Sequence, residues 1–199
     1  YGGKSAVENV TMTVNSGEIT ALLGENGAGK TTILRAVCAL HFASAGIVRV
    51  CGSEDAESIK ENTGYVPEIP VLYADFTVWE MLKYACEMRG IFGSAQKTAM
   101  ERVIADCALV HNPRVIVLDE PASGLDPSQI KQMRHLVKKL GKERTVLLST
   151  HLMQEVDALA EKIFILKKGR IAASGTAAQI AQNTGCKTLE DSFIKLSES

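Results

Sequence analysis

The nine residues from Gly24 to Thr32 constrain the fold of this chain more than any other stretch. They read G-E-N-G-A-G-K-T-T and fit the pattern G-x-x-x-x-G-K-T. Because glycine has no Cβ, the backbone of such a loop can approach an anion closely and surround it with N–H groups. A buried-strand pattern at residues 19–23 precedes the loop, and a helical pattern at residues 33–39 follows it. This order of strand, loop and helix predicts a site for the phosphates of a nucleotide.

The residue types in this loop suit the chemistry of phosphate binding. The Lys30 ammonium would reach the β- and γ-phosphates, and the Thr31 hydroxyl would hold Mg²⁺. The start of the following helix would add the positive end of its dipole. The alternative is an ordinary glycine-rich turn with a surface lysine, and the flanking strand and helix favour nucleotide binding instead. The predicted nucleotide-binding residues are Gly24, Asn26, Gly27, Ala28, Gly29, Lys30, Thr31 and Thr32.

The composition of the chain limits its partners. It has 199 residues, 46% of them hydrophobic and 23% charged, which suits a single globular domain with its own core. A formal net charge of −1 argues against a general nucleic-acid-binding protein. The sequence has no apolar run near the ~20 residues that cross a bilayer, and we expect no signal peptide, so a membrane role would need a partner. Five scattered cysteines favour free thiols in a reducing cytosol: Cys38, Cys51, Cys86, Cys107 and Cys186.

Apolar runs with strand character recur along the chain. A continuous run at residues 115–118 is typical of a strand that is covered on both faces, and residues 145–149 predict the next strand. Residues 10–14 alternate apolar and polar side chains and predict a half-buried strand, and residues 47–50 predict a short one. The residues on either side of Lys167-Lys168-Gly169 predict a hairpin.

Helical patterns alternate with these strands. Asp126, followed by a proline, and Thr176 are predicted N-caps. The segment from Tyr73 to about Val110 has apolar residues at helical spacing and predicts a helical insertion. The sequence therefore predicts an α/β fold with a mainly parallel sheet, helices on both of its faces, and a small antiparallel β part.

Two adjacent carboxylates, Asp119 and Glu120, end the apolar strand at residues 115–118. Ligands of α/β sheets bind at this end of the strands. Together with the phosphate loop, Asp119 would complete a Mg²⁺ site with Thr31, and Glu120 would orient or deprotonate the attacking water. The alternative is an acidic strand end that makes a turn or an N-cap contact. His151 follows the next strand and could approach the γ-phosphate, although a lone histidine is more often structural.

At this point the chain resembles a known family, the ATP-binding subunits of ABC transporters. Its segments "GENGAGKTT", "LDEPASGLDP" and "STHLMQEV" are most similar to those of the branch that contains drug, lipid and sodium exporters. The resemblance implies that Glu120 and His151 are catalytic and that Tyr1 stacks on adenine. The matching motifs are Walker A at residues 24–32, Walker B at 115–120, the D-loop at 123–126, the Q-loop at 64–68, and the start of the helical subdomain at 76–80.

The resemblance implies a fold, cofactors and partners. The fold would be a P-loop NTPase core of the RecA-like type, in one domain: residues 1–72 and 111–199 form the nucleotide-binding core and residues 73–110 the helical subdomain. The cofactors would be ATP and Mg²⁺. Two such subunits would close head to tail around ATP, on a membrane-spanning partner at the cytoplasmic face of the membrane. The alternatives are a regulatory subunit that does not hydrolyse ATP, and a soluble relative that acts in DNA repair or translation.

Two features depart from the family pattern. Glu68 stands where the wider family has glutamine, and it still offers an oxygen to Mg²⁺ or water. No LSGGQ-like signature occurs between Glu68 and Asp119. Either the protein has a true deletion, or a segment has been left out and the remainder numbered without a break; we favour the omission. We therefore expect one pair of adjacent Cα atoms between Asp106 and Leu109 to lie much farther apart than ~3.8 Å. Because the chain starts at Tyr1 without a methionine, we also expect the natural N-terminus upstream.

Overall fold

The computed structural model describes residues 5–69, 75, 77–88, 90–98 and 111–198. Tyr1, predicted to stack on adenine, lies outside the described residues. So does the stretch from Asp106 to Leu109, for which a long Cα step is expected. Within the described ranges, no helix combines the length and the apolar character needed to cross a membrane.

Among the described residues, a single six-stranded sheet carries the fold. Its strand order is β2-β3-β4-β1-β5-β6, and within this sheet only the β5–β6 pair is antiparallel. This agrees with the predicted α/β class, in which the antiparallel part is the hairpin around Lys168. The strands are β1 Ile19–Leu23, β2 Thr63–Val66, β3 Val115–Asp119, β4 Thr145–Thr150, β5 Lys162–Lys167 and β6 Arg170–Gly175.

Helices follow most of the strands, as the alternating patterns predict. Asp126 caps α5 with its carboxylate, which accepts from the N–H groups of Ser128 and Gln129 at 2.8 and 2.9 Å, and a proline occupies the first turn. The helices are α1 Lys30–Val37, α2 Ala56–Asn62, α3 Val78–Met88, α4 at residues 93–98, α5 Pro127–Gly141, α6 Met153–Leu159, α7 Ala177–Thr184 and α8 Leu189–Glu198.

Alternate residues of the central strands supply two hydrophobic cores, one on each face of the sheet. In β1, Ala21 and Leu23 face the core that α5, α6, α7 and α8 cover, while Leu22 faces the core beneath α1. All five residues of β1 and all six of β4 are buried. This double coverage explains why both strands read as continuous apolar runs.

Two predicted strands are wrong. Residues 10–14 have no regular strand pairing, although Val10, Met12 and Val14 pack against the core beneath α1 as their alternation indicates. At residues 47–50 the structure has an isolated antiparallel bridge between Val50 and Ser53 in place of a strand. The physical reason is that alternation reports which side chains face a core, and it does not report whether the backbone finds a partner strand.

The capping box of α7 gives a test of the fold away from the phosphate loop. The Thr176 hydroxyl accepts from the Gln179 N–H at 3.3 Å, and the Gln179 side chain accepts from the Thr176 N–H at 2.9 Å. We expect Thr176→Ala to cost about 1 kcal/mol, because the helix loses its side-chain cap. For a domain of this size that is a fall of about 2–4 °C in melting temperature. Thr176→Ser keeps the hydroxyl and is the control; equal melting temperatures for both variants would contradict the assignment.

Candidate functional site

The carboxyl ends of β1, β3 and β4 lie side by side at one edge of the sheet. Leu23 at the end of β1 is in register with Thr150, and Asp119 at the end of β3 is in register with Ser149. The glycine-rich loop leaves β1 here, and α1 returns across β3 and β4. The sheet therefore brings together the loop, the two carboxylates and His151, which the sequence spreads over more than a hundred residues.

The loop needs glycine at two positions for steric reasons. Gly29, the residue before α1, has φ 105°, and a Cβ on it would lie 2.9 Å from both the Ala6 carbonyl oxygen and a methyl of Val7. A Cβ on Gly24 would lie 2.6 Å from the Leu166 carbonyl oxygen. A side chain at either position would therefore displace backbone. Ala6, Val7 and Leu166 therefore pack against one side of the loop, while the other side is open.

The β5–β6 hairpin supports the loop from behind. Gly169 donates its N–H to the Ala28 carbonyl at 2.9 Å, and Leu166 packs against Gly24. The sequence predicts this hairpin but not its contact with the loop. No spacing signal could have revealed the contact, because it depends on β5 lying next to β1 in the sheet.

Lys30 is buried and makes three close contacts. Its Nζ donates to the Gly24 carbonyl at 2.7 Å and to the Glu25 carbonyl at 3.2 Å, and it lies 2.9 Å from Oε1 of Glu120. That glutamate oxygen is itself buried and accepts no hydrogen bond, so its contact with Lys30 is a charge contact without hydrogen-bond geometry. The ammonium and the carboxylate thus stabilise each other's charge inside the site.

A second side-chain contact and a left-handed backbone conformation also distinguish Glu120. Its Oε2 lies 2.7 Å from Nδ1 of His151, a residue that is less than half exposed. Its φ is 48°, a left-handed conformation that costs a non-glycine residue about 1–2 kcal/mol. The structure therefore holds this glutamate between a cation and a histidine, on a backbone that a relaxed turn would not adopt.

Asp119 has a different environment from its neighbour. Ser149 donates its hydroxyl to Oδ1 at 2.6 Å, and Tyr65 donates its hydroxyl to Oδ2 at 3.0 Å. Both contacts use neutral donors, so they orient the carboxylate while leaving its charge in place. Sequence reasoning missed Tyr65 and Ser149, because their hydroxyls reach Asp119 only once β2 and β4 have paired with the two edges of β3.

Burial raises the pKa of the Tyr65 hydroxyl above its ordinary value, while the nearby Arg35 guanidinium acts in the opposite direction. Asp119 adds to the rise, because a carboxylate disfavours a second negative charge beside it. The hydroxyl therefore keeps its proton at neutral pH and remains a donor to the carboxylate.

A cavity of about 570 Å³ opens over the loop, within the range of nucleotide-sized sites. The predicted residues Gly24, Ala28, Asp119 and His151 do not line the cavity, although His151 contacts Glu120, which does. The cavity also includes residues that the sequence did not single out, among them Lys168 at the hairpin tip. It is lined by Ser5, Ala6, Asn26, Gly27, Gly29, Lys30, Thr31, Thr32, Glu68, Glu120 and Lys168.

The residues at this cavity fit a magnesium nucleotide. Among the described residues, no three His, Cys, Asp or Glu side chains gather as a metal cluster. Mg²⁺ in ATPases does not need one, because one or two carboxylates and the phosphates themselves supply its oxygen ligands. Thr31, Glu68 and Asp119 offer such oxygens. The buried oxygen of Glu120 that accepts no hydrogen bond, and the loop closed from behind, both fit a site that a ligand completes.

The fold and this site together define a P-loop nucleotide-binding protein. Residues 7–108 also match the family described as "ABC transporter". The chain belongs to the ABC transporter family, and it is an ATP-binding, ATP-hydrolysing subunit of that family.

Individual relatives agree with this assignment. The "Nod factor export ATP-binding protein I" of Paraburkholderia xenovorans (strain LB400) is 34% identical over 225 residues, which cover 96% of this chain and 72% of the relative. The "Bacitracin transport ATP-binding protein BcrA" of Bacillus licheniformis is 31% identical, covering 86% and 65%. A solved structure described as the ATP-binding subunit of an ABC transporter matches with a TM-score of 0.84 at 27% identity, covering 98% of this chain and 95% of its own.

The first of these alignments is longer than the chain. It runs over 225 positions, whereas 96% of 199 residues is about 191, so the relative has a residue at about 34 positions where this chain has none.

Lys30 provides the most direct test of the site. We expect Lys30→Ala to abolish measurable nucleotide binding by calorimetry, because hydrogen bonds from a charged group contribute about 1.5–3 kcal/mol each. Lys168→Ala is the matched control: this lysine also lines the cavity but is exposed, and its loss should weaken binding only modestly. Unchanged affinity in Lys30→Ala would contradict the placement of the phosphates.

Proposed function

We propose that this chain is the ATPase subunit of an exporter, bound to the cytoplasmic face of the membrane through a membrane-spanning partner. A second ATP-binding subunit would close against it around ATP. Family membership supports the transporter role over DNA repair or translation. The printed name of one relative, a Nod factor export protein, supports the direction of transport. The observation that carries the proposal is Glu120, a buried carboxylate with an unbonded oxygen at the nucleotide cavity.

Binding of nucleotide would release Glu120 from Lys30. All three short contacts of the Lys30 ammonium are made within the protein. Phosphate oxygens carry more negative charge than carbonyls, and they would draw the ammonium away from Oε1 of Glu120. The freed oxygen lies at the cavity, where it could accept a proton from water. Lys30 and Glu120 would thus keep each other inactive until the phosphates arrive.

Glu120 and His151 would then have different roles in hydrolysis. Glu120 would take a proton from the attacking water as the general base. His151, 2.7 Å from the other oxygen of the carboxylate, would hold the orientation of this base. Their contact keeps the glutamate in place when Lys30 moves away.

The remaining roles follow from the donor atoms. Thr31 and Asp119 would hold Mg²⁺, with Glu68 at the cavity wall contributing an oxygen directly or through water. When bound, Mg²⁺ neutralises phosphate charge during transfer. The backbone of the loop would hold the phosphates, and Tyr1 would stack on adenine.

Glu120→Gln tests the catalytic assignment. It removes the base while keeping size and hydrogen-bonding capacity, so single-turnover ATP hydrolysis should fall by at least ~100-fold, the lower range of general-base catalysis. Nucleotide affinity should be retained or increased, because Lys30 would no longer have to break an ion pair with a carboxylate in order to bind the phosphates. Glu161→Gln, which changes an exposed glutamate at the start of β5, is the control and should hydrolyse ATP at the parental rate. Parental turnover in Glu120→Gln would exclude this residue as the base.

A second function is favoured by the absent signature. In the family each ATP site joins the Walker motifs of one chain to the signature of the other. A chain without a signature would bind ATP through its own motifs but could not complete its partner's site. It would then act as the nucleotide-binding, weakly hydrolysing member of an asymmetric pair.

Two measurements separate these functions. Peptide mapping of the natural protein between Glu68 and Asp119 would show whether it carries the segment, and a peptide with additional residues in this stretch favours the catalytic subunit. Peptides that match this sequence throughout the stretch favour the second function. In that case ATP hydrolysis by the chain alone should depend on ATP concentration without cooperativity, and a clearly sigmoidal dependence would contradict it.

A further inference from the structure

The hydroxyl of Ser149 touches both carboxylate residues of the site. It donates to Oδ1 of Asp119 at 2.6 Å and accepts from the backbone N–H of Glu120 at 2.9 Å. Ser149 is completely buried in β4, in register with Asp119 on β3. A single oxygen atom therefore links the side chain of one carboxylate residue to the backbone of the next.

Each bond acts on a group whose geometry the covalent chain alone does not fix. A carboxylate at a strand end can rotate about its side-chain torsions, and Glu120 has a left-handed backbone that surrounding contacts must hold. The Ser149 bonds fix the rotation of Asp119 and the N–H direction of Glu120. Removing this hydroxyl would take one hydrogen bond from each residue at once.

Of the two carboxylate residues, Tyr65 contacts Asp119. Its hydroxyl donates to the second oxygen of Asp119 at 3.0 Å and comes from β2, on the opposite side of β3 from Ser149. Asp119 is thus held from both neighbouring strands by neutral donors. Its negative charge is oriented without being paired by them, which is how outer contacts support a metal ligand.

We propose that Ser149 is the positioning residue of this site, fixing Asp119 and Glu120 relative to each other, with Tyr65 fixing the remaining oxygen of Asp119. The proposal rests on the proposed function, because it assigns roles within the same nucleotide site. It gives the two hydroxyls different consequences: Tyr65 acts on the metal ligand alone, and Ser149 acts on the metal ligand and on the base.

The first measurement is metal affinity, with Mn²⁺ as a paramagnetic probe and ADP present on the full chain. Ser149→Ala and Tyr65→Phe should each weaken Mn²⁺ binding by about 10- to 100-fold, the usual effect of losing an outer contact to a metal ligand. ADP affinity in EDTA should stay within twofold of the parent, because the phosphate loop is untouched. Both quantities can be read without hydrolysis.

The matched control is Ser192→Ala. Ser192 is also completely buried, but its hydroxyl joins the backbone of Thr188 and the side chain of Thr184 near α7 and α8. This variant should lose stability without changing Mn²⁺ affinity. If Ser149→Ala does not fold, Ser149→Cys serves instead, because the thiol is similar in size and a weak donor.

The second measurement is single-turnover hydrolysis at saturating Mg²⁺. Saturation should restore Tyr65→Phe to the parental rate and leave Ser149→Ala slow, since metal cannot reposition Glu120. Mn²⁺ affinity in Ser149→Ala equal to that of Ser192→Ala would overturn the proposal, and so would full recovery of Ser149→Ala by Mg²⁺. A parent that binds no ADP would instead count against the proposed function itself.

Discussion

The buried contact between Lys30 and Glu120 is the interaction on which the site depends. A charge moved out of water costs several kcal/mol unless it is paired, so each of these side chains makes the other's burial possible. The pair joins the start of α1 to the end of β3, two elements that meet because α1 packs across β3 and β4. The ion pair can therefore form only when the strands lie in the correct order and the loop is closed, so the charges are balanced only in the folded site.

Asp119 and Glu120 are neighbours in the chain, yet the structure gives them opposite surroundings. Asp119 meets two neutral hydroxyls, whereas Glu120 lies between an ammonium and an imidazole. Carboxylates in different environments can take different chemical roles, which supports the proposed roles of Asp119 as a metal ligand and Glu120 as a base. The alternation of a strand end explains the separation: consecutive side chains leave β3 in different directions.

What the sequence predicts well is local. The loop at residues 24–32, the buried strands on either side of the site and the cap at Asp126 depend on near neighbours, and the structure has each of them. What it could not predict depends on strand order. The support of Ala28 by Gly169, and the hydroxyls of Tyr65 and Ser149 beside Asp119, require β2, β4 and β5 to occupy particular places. Residues 10–14 show the same limit, because their alternation predicts a buried face correctly and a paired strand wrongly.

The position of β1 in the sheet has a consequence for biosynthesis. Both of its neighbours, β4 and β5, come more than 120 residues later in the chain. During synthesis the ribosome delivers this wholly buried strand long before the strands that will cover its edges. Pairing over such long sequence separations is slow and leaves hydrophobic surface exposed meanwhile. The phosphate loop is thus among the first functional segments to be made and among the last that can become ordered, so the nascent chain depends on protection until about residue 166 has emerged.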